Sequence, residues 1–216
     1  MNTLLLKTRP GTLGYSKGKE RAIEILKSAR EVFIRDGYAK LTMKKIAEHT
    51  GIAVGNLNYY YPDKQSLIAD MLNWIIDDHI KAFEEIKLNA GDSPEAQLTA
   101  IVHYLVADCG KIESSGFFPE LWALSNHDPA AEIRMDELYR KARMVLNDLV
   151  IQLNPKLSTQ CREQLALFIS ASIEGLVPFV GSGKRFNSDI PAMQNIAGLS
   201  FVSLVKNITE EDIKQF

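Results

Sequence analysis

The sequence predicts an all-α protein, on three observations. Apolar residues recur every three or four positions in segment after segment, as in Ile25/Leu26, Ala29 and Val32/Phe33. No segment sustains the period-two alternation of a half-buried strand. Short clusters of Gly, Pro, Ser, Asp and Asn separate the periodic segments, with residue types that start and stop helices.

Residues 1–16 carry no periodicity, and Pro10, Gly11 and Gly14 predict a flexible arm. A first helix runs from Lys17 to a stop at Gly37. Thr42 caps a short helix, Met43 to Thr50, with Ile46 and Ala47 inward, and Gly51 ends it. The stretch "TGIAVGNLNYYYPDK" holds a third helix, Val54 to Tyr61, and Asp63 caps a long one, Lys64 to about Asn89. Ser93 and Pro94 open a helix to about Glu113. "SSGFFP" breaks it, and a short helix holds Leu121, Trp122 and Leu124. Asp128 and Pro129 open a helix to about Gln152, and "NPKLST" leads into another over about Thr159 to Val180. "GSGKRFNSD" separates that from a last helix near Pro191 to Lys206.

The chain has 216 residues, 46% hydrophobic and 24% charged, enough to bury a real core in one or two compact domains. Cys109 and Cys161 stand far apart with no His or Cys at metal spacing, so they read as reduced core cysteines, with no metal and no cofactor expected. Leu4 to Leu6 is too short for a signal peptide's apolar region. The longest uncharged run, Ile190 to Val205, contains Gln194, Asn195, Ser200 and Ser203 and reads as a helix packed on protein, so no membrane span and a cytoplasmic location are expected. The charge is uneven. Met1 to Asp70 carries 12 Lys/Arg against 7 Asp/Glu, and Met71 to Phe216 carries 13 against 20. A basic head on an acidic body suggests that the head meets a polyanion.

The third helix is where that meeting is expected. At about 100° per residue, Leu57 and Tyr61 share the inward face. Asn56, Tyr59 and Tyr60 share another, flanked by Val54 and Asn58. Asn pairs with the N6/N7 edge of adenine, Tyr hydroxyls reach phosphates, and Val54 suits a thymine methyl. Lys44, Lys45 and Lys64 stand around the rim to neutralise phosphates, and Gly55 allows close backbone approach. Helix, tight turn, then a short second helix is the layout of a helix-turn-helix.

The stretch "AIEILKSAREVFIRDGYAKLTMKKIAEHTGIAVGNLNYYYPDKQSLI" resembles the DNA-binding domain of the TetR family of bacterial transcriptional regulators, from about Arg21 to Leu72. Phe33 with Gly37, Thr42, Ile46-Ala47, Gly51, Leu57, the Pro62 turn and Lys64 carry the resemblance. It implies a three-helix DNA-binding domain (residues 17–63) and a larger helical effector-binding and dimerisation domain (64–216). It implies a homodimer on a palindromic double-stranded DNA operator, released by a small molecule. By position it carries DNA contacts to Thr42, Lys44, Val54, Gly55, Asn56, Asn58, Tyr59, Tyr60 and Lys64. Three positions depart from the pattern. Asn58 stands where Tyr is usual, Ala53 where a Ser or Thr cap is usual, and Tyr61 where Phe is usual.

"CREQLALFISASIEGLVPFVGSG" resembles the family's penultimate helix. With the last helix it implies a dimer interface through Ala166, Ser170, Ala171, Gly175, Met193, Ile196, Ala197, Phe201 and Leu204. "FFPELWALSNHDP" resembles a Trp-containing segment near the family's effector cavity. Phe117, Phe118, Trp122, Asn126 and His127, with His103, Tyr104 and Cys109, are the candidate pocket, and their character suits a lipophilic effector. The alternative is a helical enzyme or an adaptor without DNA binding. Its best residues, Glu120, His127 and Asp128, or His103 with Cys109, lack an oxyanion motif, metal spacing or phosphate loop, so no catalytic residues are expected.

Overall fold

A computed structural model describes residues 16–214. The arm expected over residues 1–16 lies outside them, apart from Ser16. All regular elements among the described residues are helical. They are α1 (Ser16–Asp36), α2 (Met43–Thr50), α3 (Val54–Tyr60), α4 (Lys64–Ala90), α5 (Pro94–Cys109), α6 (Ile112–Ser115), α7 (Phe117–Ser125), α8 (Pro129–Leu153), α9 (Thr159–Glu174), α10 (Val177–Val180), α11 (Ile190–Asn207) and α12 (Glu210–Lys214). One 3-10 turn, Tyr38–Lys40, joins α1 to α2, and another, Asn187–Asp189, precedes α11.

The expected caps form. Thr42 Oγ1 accepts from Lys45 N–H at 3.2 Å, and Asp63 Oδ1 accepts from Ser66 N–H at 2.7 Å. Ser93 Oγ accepts from Ala96 N–H at 3.3 Å, and Asp128 Oδ1 from Ala130 N–H at 2.9 Å. Gly51 is left-handed, and Ile52 N–H returns to the Ala47 carbonyl at 2.9 Å, the closure that ends α2.

Four boundaries differ from expectation. α5 stops at Cys109 and the one-turn α6 follows; Gly110 between them lies so close to Ile190 that an added Cβ would stand 2.0 Å from its Cδ1. α7 starts at Phe117, with Pro119 in its first turn, where the missing N–H would have no intrahelical partner. The helix expected over Thr159–Val180 splits at Gly175–Leu176, because Pro178 cannot donate to Glu174 and its ring would crowd that carbonyl. α12 was not expected. It is opened by Thr209 and Asp212, each bonding the other's backbone N–H, at 3.2 and 2.9 Å.

The chain divides into two compact units. The first holds residues 16–78 and 116–138. α1 contributes a buried face of Ala22, Ile25, Leu26, Ala29, Val32 and Phe33, and packs on α2, which packs on α3. α7 closes this core: the Phe33 and Phe117 rings lie 5.3 Å apart, and Arg30 stands 5.6 Å over Phe117. Gly37, at φ +73°, ends α1, and an added Cβ there would lie 3.0 Å from Glu120 Oε2.

The second unit holds residues 79–115 and 139–214. α11 lies along α5, close enough that a Cβ on Gly198 would be 2.9 Å from His103 Nε2. Gln194 Nε2 donates to the His103 carbonyl at 2.9 Å. Asn154 Nδ2 donates to the carbonyls of Val205 and Ile208, both at 2.9 Å, and so closes α11. Thr159–Val180 is long and apolar enough to cross a membrane by length and composition alone. Here it is broken after Glu174, and its Leu165, Ala166, Ile169 and Ile173 are buried.

Candidate nucleic-acid interface

α3 is only seven residues long and has no capping side chain, since Ala53 offers none. A helix this short is not stable alone, so its neighbours hold it. Leu57 and Tyr61 do this, both fully buried. Burial pushes the Tyr61 phenol up, the nearby Asp70 charge adds to this, and the hydroxyl has no hydrogen-bond partner.

The opposite face is open. Val54, Gly55, Asn56, Asn58 and Tyr59 are exposed and Tyr60 is half-buried. The Tyr59 and Tyr60 rings meet edge to face, centroids 5.6 Å apart. An added Cβ on Gly55 would meet nothing within 4 Å, so the backbone here is open to solvent.

The cations differ in how committed they are. Lys44 is the freest, its side chain 78% exposed and 3.9 Å from Glu48. Lys45 Nζ lies 2.8 Å from Asp36 Oδ2, and Arg35 Nε lies 2.8 Å from the other oxygen. These hydrogen bonds hold the Asp36 carboxyl well below the usual range. Thr42 is exposed, but its hydroxyl oxygen serves the cap. Lys64 is half-buried and donates to the Tyr38 carbonyl at 2.8 Å. Tyr38 and Asp36 were not singled out in the sequence, and nothing local marks either as a partner of a lysine.

The pocket candidates fall in both units. Phe117, Phe118 and Trp122 form a run of ring contacts in the first unit, 5.5 and 6.5 Å between centroids. Asn126 and His127 are exposed at the α7–α8 turn. His103, Tyr104 and Cys109 lie on α5 in the second unit. Tyr104 Oη is 3.3 Å from His79 Nδ1, and Cys109 Sγ donates to the Ile173 carbonyl at 3.6 Å. Burial pushes the Cys109 thiol up, with the charges of Glu174 and Asp108 adding.

Of the interface candidates, Ala166 is buried and cannot meet a partner. Ser170, Met193, Ala197, Phe201 and Leu204 are half-buried, and Ala171, Gly175 and Ile196 are exposed. The exposed apolar surface also includes Leu167, Phe168, Phe179 and Leu199, which the sequence reading missed. On α9 the exposed face is Leu167, Phe168, Ala171 and Gly175, about one position from the stripe expected through Ala166 and Ser170.

A capped helix, a left-handed glycine turn and a short helix held by a buried Leu–Tyr pair, with polar and aromatic side chains outward, have the layout of a helix-turn-helix, the class of a DNA-binding protein. The comparisons agree. Residues 25–71 match the family described as "Bacterial regulatory proteins, tetR family", and residues 94–189 match "BetI-type transcriptional repressor, C-terminal". The HTH-type transcriptional regulator BetI of Stenotrophomonas maltophilia is 27% identical over 168 residues, covering 74% of this chain and 82% of that protein. The HTH-type transcriptional regulator RutR of Escherichia coli is 30% identical over 129 residues, covering 57% of this chain and 56% of its own. Among solved structures, a Rhodococcus sp. TetR-family regulator superposes with a TM-score of 0.70 at 22% identity, covering 87% of this chain and all of that one (100%). A Saccharomonospora viridis transcriptional regulator, solved in complex with choline, gives 0.68 at 18% identity, covering 88% and 97%. At those identities the likeness is one of fold. The chain belongs to the TetR family of bacterial transcriptional regulators and is a DNA-binding transcriptional regulator.

Proposed function

We propose that the chain is a homodimeric, cytoplasmic repressor that reads a palindromic operator with α3 and leaves it when a small molecule binds the C-terminal domain (residues 64–216). The observation that carries this is the division of α3 into a buried pair, Leu57 and Tyr61, and an exposed face of Asn56, Asn58 and Tyr59. Asn56 and Asn58 read base edges. Tyr59 and Tyr60 take over the phosphate contact that a tyrosine at position 58 would make. Lys44 and Lys45 meet phosphates, with Thr42 and Gly55 at close approach. The buried, proton-holding Cys109 thiol, in a sequence without an oxyanion motif, metal spacing or phosphate loop beside its candidate catalytic residues, supports a non-catalytic role. A gel shift on the promoter beside its own gene, followed by footprinting, tests the reading. No shift, or a footprint without two-fold symmetry, would overturn it.

Dimerisation is supported by the exposed apolar face of Leu167, Phe168, Phe179, Ile196 and Leu199 on α9–α11. Gly175 adds room on that face: a Cβ there meets only the chain's own carbonyls, at 3.4 Å. Sedimentation of the protein as a monomer at micromolar concentration would remove this assignment.

For the effector, the aromatic candidates favour a lipophilic molecule. Asp108 is buried and bonded to Ser114 and Lys111. Burial pushes Glu174 up to about 7, a hydrogen bond from Tyr139 opposes this, and the charge of Asp108 adds to it. Thermal-shift screening with long-chain lipophiles beside polar metabolites tests the lipophilic reading: stabilisation by polar metabolites and not by lipophiles would overturn it.

A further inference from the structure

Lys64 is the first residue of α4, where a cation faces the unfavourable end of the helix dipole. It is also half-buried, and burial lowers its ammonium below the ordinary lysine value. Two contacts offset these costs, and both come from one residue. The ammonium donates to the Tyr38 carbonyl at 2.8 Å and stands 3.6 Å from the centre of the Tyr38 ring, well inside cation–π range. Tyr38 opens the 3-10 turn that joins α1 to α2, and its ring meets Phe33 of α1 edge to face at 6.5 Å. Thr42, which caps α2, follows four residues later.

We propose that Lys64 is a positioning residue: it clasps the Tyr38–Lys40 turn to the start of α4, and operator affinity depends on this clasp through the placement of α2 and α3. This rests on the reading of DNA by α3. It replaces the phosphate contact that the family resemblance implies for this lysine. The clasp ties the helix-turn-helix to the one helix that runs on from it to Ala90. A displacement of α4 would therefore act on the turn ahead of α2 directly.

The test uses a duplex enriched from a random pool by the unmutated protein. Lys64→Met keeps the apolar stem and removes the ammonium. Tyr38→Leu removes the ring, and Tyr38→Phe keeps both ring and carbonyl. Lys64→Met and Tyr38→Leu should each weaken binding roughly three- to thirtyfold. The double variant should be no weaker than the worse single one, Tyr38→Phe should bind like the unmutated protein, and Lys64→Arg should restore most of the loss. The slope of log affinity against log salt should not change. A slope lowered by about one per lost contact in Lys64→Met overturns the clasp. So do losses that add in the double variant. If Tyr38→Leu melts too low to assay, amide exchange in free Lys64→Met decides. Faster exchange over Met43–Thr50 supports the clasp, and unchanged exchange overturns it. Asn56→Ala, assayed alongside, keeps the two readings apart. Its unchanged binding would remove α3 as the reading helix, whereas the amide-exchange result stands without DNA.

Discussion

Tyr59 on α3 and Phe168 on α9 are almost equally exposed, at 52% and 55%. Their surroundings differ. Tyr59 sits among Asn56, Asn58 and Tyr60, with Lys44 in the helix before it. Phe168 sits with Leu167 and Ala171, between Gln164 and Ser172. Exposure of an aromatic ring therefore does not define its partner. The side chains that share its surface differ: amides and a second phenol around Tyr59, and the exposed apolar Leu167 next to Phe168.

The comparison can be broken most forcefully from beneath. Leu57→Ala leaves a cavity in the small core under α3 and should cost about 2–5 kcal/mol, read as a lower melting temperature with loss of DNA binding. A comparable effect in the other region depends on pH. The Glu174 carboxyl stands at about 7, above an ordinary glutamate, because it is buried. The native state therefore holds the extra proton. The stability this gives is fully present below the ordinary glutamate value and is lost as pH rises through about 7. Glu174→Gln should match the unmutated protein at pH 4 and exceed it by about 3 kcal/mol at pH 8, measured by urea unfolding at both. A pH-independent difference would mean that Glu174 is not held protonated.

Smaller changes sharpen the contrast. Asn56→Ala should alter melting by less than about 0.5 kcal/mol. In DNA titrations it should cost about 1–3 kcal/mol and relax preference at one base pair per half-site. Tyr61→Phe removes a buried hydroxyl that has no partner and should raise stability by about 1 kcal/mol, with operator affinity unchanged. A drop in stability would mean that the hydroxyl is satisfied by a group outside the chain's own side chains.

The two regions also differed in how much could be read from the sequence. In the head, caps and core obey rules that span three to five residues. Thr42, Gly51, Leu57, Tyr61 and Asp63 were therefore legible one by one. The Lys64–Tyr38 contact spans 26 positions and was not. In the body, α9 was legible as a helix but its exposed face only in part: Ala171 and Gly175 are exposed as expected, whereas Ala166 is buried and its neighbour Leu167 is exposed. The packing of α7 on α1 was equally hidden, because Phe33 and Phe117 meet only once the chain has folded back.

Gly37 carries a consequence for how such a chain can change over generations. Its backbone holds it, at a φ of +73°, while the Glu120 carboxylate 3.0 Å from where a Cβ would stand is the end of a flexible side chain that can swing aside. Shortening residue 120 removes that contact but leaves the backbone constraint. Drift at position 120 is therefore possible while position 37 stays fixed, whereas no first step at 37 is neutral. Among descendants of this sequence, variation at the two sites should be one-sided, with no paired exchange between them.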